Sequence, residues 1–139
     1  MGISIEYPEP TVFSCETTVR ITDLSTAGHL GFDHLVAIIN DASARFFAQR
    51  NIHRKQGGVG AIYADLMVRY LAEAFFGDIL GIEIAIGEVR EKGLDLVFRI
   101  TRGRTGVVVA IAKIGVLFFD YDQRKVVPIP AEFDMNPTV

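Results

Sequence analysis

The chain has 139 residues, 50% of them hydrophobic and 22% charged, which suits one globular domain with its own core and excludes a disordered or multidomain protein. Its net charge of -3, with both signs interspersed, offers no basic face for nucleic acid and no polybasic anchor for a membrane. The single cysteine, Cys15, excludes an intrachain disulfide and a cysteine metal cluster, so no metal is expected and a reducing, cytoplasmic compartment is.

Residues 1–10, with Pro8 and Pro10, carry neither the basic start nor the apolar run of a secretory signal, and read as a loose N-terminal arm on a single domain spanning 1–139. No later run reaches the roughly 18 uncharged apolar residues of a membrane span, so the chain is expected to be soluble and unprocessed. The β-branched stretch 11–22 predicts a first strand, followed by an Asp/Ser/Gly-rich loop. From 33 to about 49, Leu35, Val36, Ile38, Ile39, Ala42, Phe46 and Phe47 recur at helical spacing and predict a helix with one buried face.

Residues 51–60 form a polar, glycine-punctuated turn in which His53 carries no functional weight. Strands follow near 61–71, 78–90, 93–102 and 106–120, with breaks too short for parallel crossovers. The expected order is strand, helix, then a four-strand antiparallel meander. Leu80, Ile82, Ile84 and Ile86 alternate onto one face that packs on the helix, and 106–119 is apolar on both faces, as in a central strand. The fold class is α+β, a long central helix wrapped by a five-stranded antiparallel sheet.

The segment from Asp23 to Leu35 is the most informative. A glycine-rich loop bearing His and Asp and opening a helix gathers free backbone N–H groups and titratable side chains around one point, which equips it to handle a polarised carbonyl.

Several short patterns occur in order along the chain: Asp23, Gly28 and His29 before the helix, Asp41-Ala42 within it, and Tyr70 seven residues ahead of Gly77-Asp78. Phe118-Phe119-Asp120 and Pro128-Ile129-Pro130 follow. Together, over about residues 17–133, they resemble the hotdog-fold acyl-CoA thioesterases of the 4-hydroxybenzoyl-CoA thioesterase type, with their Asp-x-Asp-x-x-Gly-His-Val-Asn-Asn signature. The resemblance implies a hotdog fold, hydrolysis of an acyl-CoA thioester by water at a dimer-interface site, and a homodimer or tetramer. CoA would be part of the substrate, with no separate cofactor. The signature departs in two places: Ser25 aligns with the usual catalytic carboxylate, and Gly31-Phe32 with the Asn pair. A non-catalytic acyl-CoA-binding or scaffold dimer is therefore the alternative. The motifs of hotdog dehydratases and hydratases are absent.

Thioester hydrolysis needs donors for the carbonyl oxygen, a nucleophile and a base, and losing one donor costs about 3 kcal/mol in other enzymes. Backbone N–H groups at Gly31 and Phe32, helped by a helix-start charge of about half a unit, suit the first role. Asp33 is the leading base, or else an N-cap. His29 has proton-transfer chemistry but can equally shape the loop or touch substrate. Ser25 could orient water, although it lacks an evident His–Asp pair. Asp23 and Gly28 shape the loop.

Asp65 interrupts an apolar strand and could act in trans in a dimer, or pair with Arg69 or Arg99. His34 reads as surface or interface, and Asp41 as bonded to a neighbouring strand or subunit. Glu73 stands where the family commonly has Pro, and no role for it follows from the sequence. Phe46, Phe47, Phe75, Phe76, Phe98, Phe118 and Phe119 line an acyl tunnel or, for most, the core. Arg54, Lys55, Arg102 and Arg104 are the basic groups available for CoA phosphates.

Overall fold

A computed structural model describes residues 2–52 and 58–137. One helix, α1 (Phe32–Gln49), packs on a single antiparallel sheet of β1 (Thr11–Thr18), β2 (Val59–Tyr70), β3 (Ile79–Val89), β4 (Gly93–Arg102), β5 (Val107–Asp120) and β6 (Lys125–Val126). The main strands run in the order β1-β3-β4-β5-β2, and the two-residue β6 joins β5. The expected helix and five strands are present, with β6 added.

The meander holds only for β3, β4 and β5. β2 pairs with β5 from Val59 opposite Asp120 to Tyr70 opposite Ala110, so it closes the far edge rather than lying beside β3. Residues 71–78 are a crossing, not a hairpin turn. The N–H groups of Leu71 and Ala72 bond Val109 O, Leu30 N–H bonds Ala74 O, and Gly77 N–H bonds Val19 O. The segment is thus led past the start of α1 to the opposite edge. β1 also ends earlier than expected, because residues 21–23 wind into a 3-10 turn closed by the Asp23 carboxylate on Arg20 N–H at 2.8 Å.

The core lies between helix and sheet. Leu35, Ile39, Ala42 and Phe46 repeat along the buried stripe of α1. They meet Leu80, Ile82 and Ile84 of β3 and Leu94, Leu96, Phe98 and Ile100 of β4. Each Leu, Ile or Phe among them contributes about 1.5–3 kcal/mol by leaving water. Phe46, Phe47, Phe98 and Phe118 belong to this core, whereas Phe75 and Phe76 are exposed. Asn51, in the left-handed region at φ 62°, ends α1, with Ile52 N–H reaching back to Phe47 O.

Residues 3–9 lie against the sheet's outer face. The Arg99 guanidinium sits 4.1 Å over the Tyr7 ring and pairs with Glu83 and Glu9, and Arg69 donates to Ile3 O at 2.8 Å. Among the described residues no helix is long and apolar enough to cross a membrane.

Candidate active site

The loop before α1 is a miniature hairpin. Leu24 and Leu30 form an antiparallel bridge, Ser25 N–H bonds His29 O at 2.8 Å, and Gly28 N–H bonds Ser25 O at 3.0 Å. Gly28 closes the turn at φ 84°, a conformation that explains glycine there. Asp23 anchors the base of the loop. It is 4% exposed, accepts from Arg20 N–H and guanidinium, and stands 3.4 Å from His34 Nδ1. Burial pushes its carboxyl up, but the Arg20 hydrogen bonds and charge, with His34, outweigh burial and hold it below the usual carboxylate range. Asp23 is thus bonded at the base of the loop and Gly28 within its turn, and His34 is part of the Asp23 network.

The helix start differs from expectation in two respects. Gly31, not Asp33, is the N-cap residue, and Asp33 is the second residue inside the helix. Gly31 N–H is committed to Asp23 O at 2.9 Å, and the helical ladder begins with Leu35 N–H to Gly31 O at 3.0 Å. The donors outside the ladder thus start at Phe32 rather than at Gly31. The Asp33 carboxylate folds back over Gly31, its Oδ1 2.7 Å from where a Cβ at Gly31 would stand, so a side chain there would collide with it.

Two cavities flank this first turn and divide the candidate residues between them. The larger, about 660 Å³, is lined by Ser25, His29, Gly31, Phe32, Tyr70, Glu73 and Arg102, with Leu30, Leu35, Leu71 and Val109 as apolar wall. The second, about 490 Å³, is a groove between α1 and β2 that holds Asp33, Asn40, Tyr63 and Asp65. His29, Ser25 and the helix start are therefore brought together, while Asp33 and Asp65 face a separate space. None of the seven candidate tunnel phenylalanines lines either cavity.

Within the larger cavity, His29 Nδ1 lies 3.2 Å from Leu30 O and Nε2 lies 3.4 Å from Glu73 Oε2. Arg102 Nη1 donates to Glu73 O. Tyr70 donates to Phe32 O at 3.0 Å. Burial, and secondarily the Asp33 charge, pushes the Tyr70 phenol up, so it remains a donor at neutral pH. The Ser25 hydroxyl accepts from Ala27 N–H at 3.3 Å within its own turn, and among the described residues no base takes its proton.

Asp65 makes neither expected ion pair. Its Oδ1 accepts Gly115 N–H at 3.0 Å where β2 bulges between Tyr63 and Asp65, while Arg69 and Arg99 are held by the N-terminal segment and Glu83. Asp41 pairs with Arg45 one turn along the same helix, at 2.9 Å. Of the basic candidates, Arg102 reaches the cavity; His53, Arg54, Lys55 and the Arg104 side chain lie outside the described residues. Glu73 is the residue that sequence reasoning left without a role, and its only signal was the departure from a common Pro. Among the described residues no three His, Cys, Asp or Glu side chains converge as a metal site.

A first turn with free N–H groups, an imidazole facing a carboxylate, a guanidinium and an apolar wall can polarise a carbonyl and move a proton beside it. A profile described as the thioesterase-like superfamily matches residues 19–136. Among solved structures the chain is similar to a 1,4-dihydroxy-2-naphthoyl-CoA thioesterase from Synechocystis, at 18% identity over 86% of this chain and 90% of that one, with a TM-score of 0.77. It is similar to a Staphylococcus aureus protein solved in complex with CoA, at 17% identity over 98% and 92%, with a TM-score of 0.82. A variant 4-hydroxybenzoyl-CoA thioesterase complexed with 4-hydroxybenzoyl-CoA gives 20% identity over 87% and 94%, with a TM-score of 0.77. No curated protein sequence matches. These likenesses show the hotdog fold.

Proposed function

The chain belongs to the thioesterase-like superfamily, and from that premise we propose that it hydrolyses an acyl-CoA thioester with water in the cavity at the start of α1. The observation that carries the reading is the meeting of His29 with the open first turn of α1 in one cavity. The thioester oxygen lies toward the Phe32 N–H and the positive end of the helix, where charge builds as the carbonyl is attacked. His29 takes the proton from water, its imidazole standing on the cavity wall beside the helix start. The CoA thiolate leaves readily, so little acid assistance is needed.

Ser25, Asp23 and Gly28 keep the loop in shape, and Arg102 at the cavity wall receives an anionic part of CoA. A second copy joins along β2, the edge strand that exposes Tyr63, Leu66 and Tyr70, giving a homodimer in which the grooves holding Asp33 and Asp65 adjoin the interface. Tetramers would be pairs of such dimers. CoA bound to the Staphylococcus aureus neighbour supports a CoA thioester as substrate, in the reducing compartment that a lone cysteine suits.

Free-thiol release from a panel of short-chain, long-chain and aromatic acyl-CoAs tests the reading. Turnover of at least one is expected. No turnover on any, with CoA binding retained, would establish an acyl-CoA-binding scaffold instead.

A further inference from the structure

Glu73 lies in the crossing between β2 and β3, far in sequence from the loop that opens α1, yet its carboxylate faces His29 in the same cavity. We propose that Glu73 is the positioning carboxylate of this site, acting through His29. The proposal rests on the hydrolase reading above.

A carbonyl oxygen can only accept, so the approach of His29 Nδ1 to Leu30 O at 3.2 Å places a proton on Nδ1, and in the neutral ring Nε2 is then the basic nitrogen. Nε2 is the atom that faces Glu73 Oε2, at 3.4 Å. The carboxylate is carried on a fixed backbone, because Arg102 holds Glu73 O and Leu30 N–H holds Ala74 O. Arg102 is the other charged side chain on this cavity. Asp23, Asp33 and His34 gather instead around Gly31.

In the reaction, water oxygen bonds to the thioester carbon as Nε2 takes one of its protons. Glu73, facing Nε2, stabilises the imidazolium so formed, while the Nδ1–H bond to Leu30 O holds the ring. The tetrahedral intermediate collapses, the C–S bond breaks with its electron pair going to sulfur, and the imidazolium returns its proton to the thiolate. One water is consumed, and a carboxylic acid and a thiol are released. Glu73 ends unchanged.

The test compares wild type, Glu73→Gln and Glu73→Asp on an acyl-CoA identified by the panel above. The Glu73 side chain is 61% exposed, so each variant should keep its fold, checked by thermal melting. Glu73→Gln should lower kcat about 10-fold with KM within about twofold, and Glu73→Asp should recover part of the loss. A Glu73→Gln enzyme with kcat within about twofold of wild type overturns this role and leaves the hydrolase reading standing. Equal loss in Glu73→Gln and Glu73→Asp also overturns it, since charge would then be irrelevant. A wild type inactive on every acyl-CoA overturns the hydrolase reading and this role with it.

Discussion

The phenol of Tyr70 donates to the carbonyl of Phe32 at 3.0 Å, joining the last residue of β2 to the first residue of α1. The bond fixes the helix start relative to the cavity wall. Tyr70→Phe should cost about 0.5–1 kcal/mol, as for one ordinary hydrogen bond. Thermal melting should show the loss, and KM for the acyl-CoA should rise more than kcat falls, because the ring remains and only the tether goes.

Asp23 makes the loop sensitive to acid. Its carboxyl is held below the usual range in the folded protein, so it titrates lower there than in the unfolded chain. The stability it contributes is present above the unfolded value of about 3.9 and is lost as pH falls through the folded value. Urea denaturation between pH 6 and pH 2 should therefore show wild-type stability falling more steeply than that of Asp23→Asn, with the variant weaker by about 1–3 kcal/mol at neutral pH. Parallel curves would remove Asp23 from the account.

Gly115 and Asp65 form a coupled pair at the β2 bulge. A Cβ at Gly115 would overlap the Asp65 carboxylate, so Gly115→Ala should destabilise by about 1–3 kcal/mol. In an Asp65→Ala background the same change should cost much less, and a double-mutant cycle measures the difference. Additive effects would mean that the carboxylate moves aside freely. Asp65→Asn keeps an acceptor for Gly115 N–H and should leave turnover intact.

Asp33 separates two views of the site. Its side chain is 70% exposed and lines the α1–β2 groove rather than the cavity of His29. Asp33→Asn should lower stability by about 0.3–1 kcal/mol through the lost charge at the helix start. Turnover should stay within about threefold. A loss of about 100-fold would return the base to Asp33.

The elements were legible because their signals are local. The apolar stripe from Leu35 to Phe46 and the alternation in β3 each report one buried face, and both recur in the structure. Strand order was less legible, since eight residues between β2 and β3 can make a turn or a crossing. Only the partners of Leu71, Ala72, Leu30 and Gly77 decide which. The loop announced itself through Asp23, Gly28 and His29. Its cap was misread because Asp33 has the side chain of an N-cap, while Gly31 takes that position with its own N–H held by Asp23 O. Asp65 suggested an ion pair because its backbone partner, Gly115, is fixed by sheet register. Glu73 meets His29 only through that crossing, a long-range contact that no spacing in the chain encodes.

The most direct test of the account measures thiol release from acyl-CoAs by wild type and His29→Asn side by side, with CoA affinity determined for both. The account predicts wild-type turnover of at least one acyl-CoA, a loss of about 100-fold or more in kcat for His29→Asn, and little change in CoA binding. Equal turnover by the two proteins, or none by wild type, would contradict it.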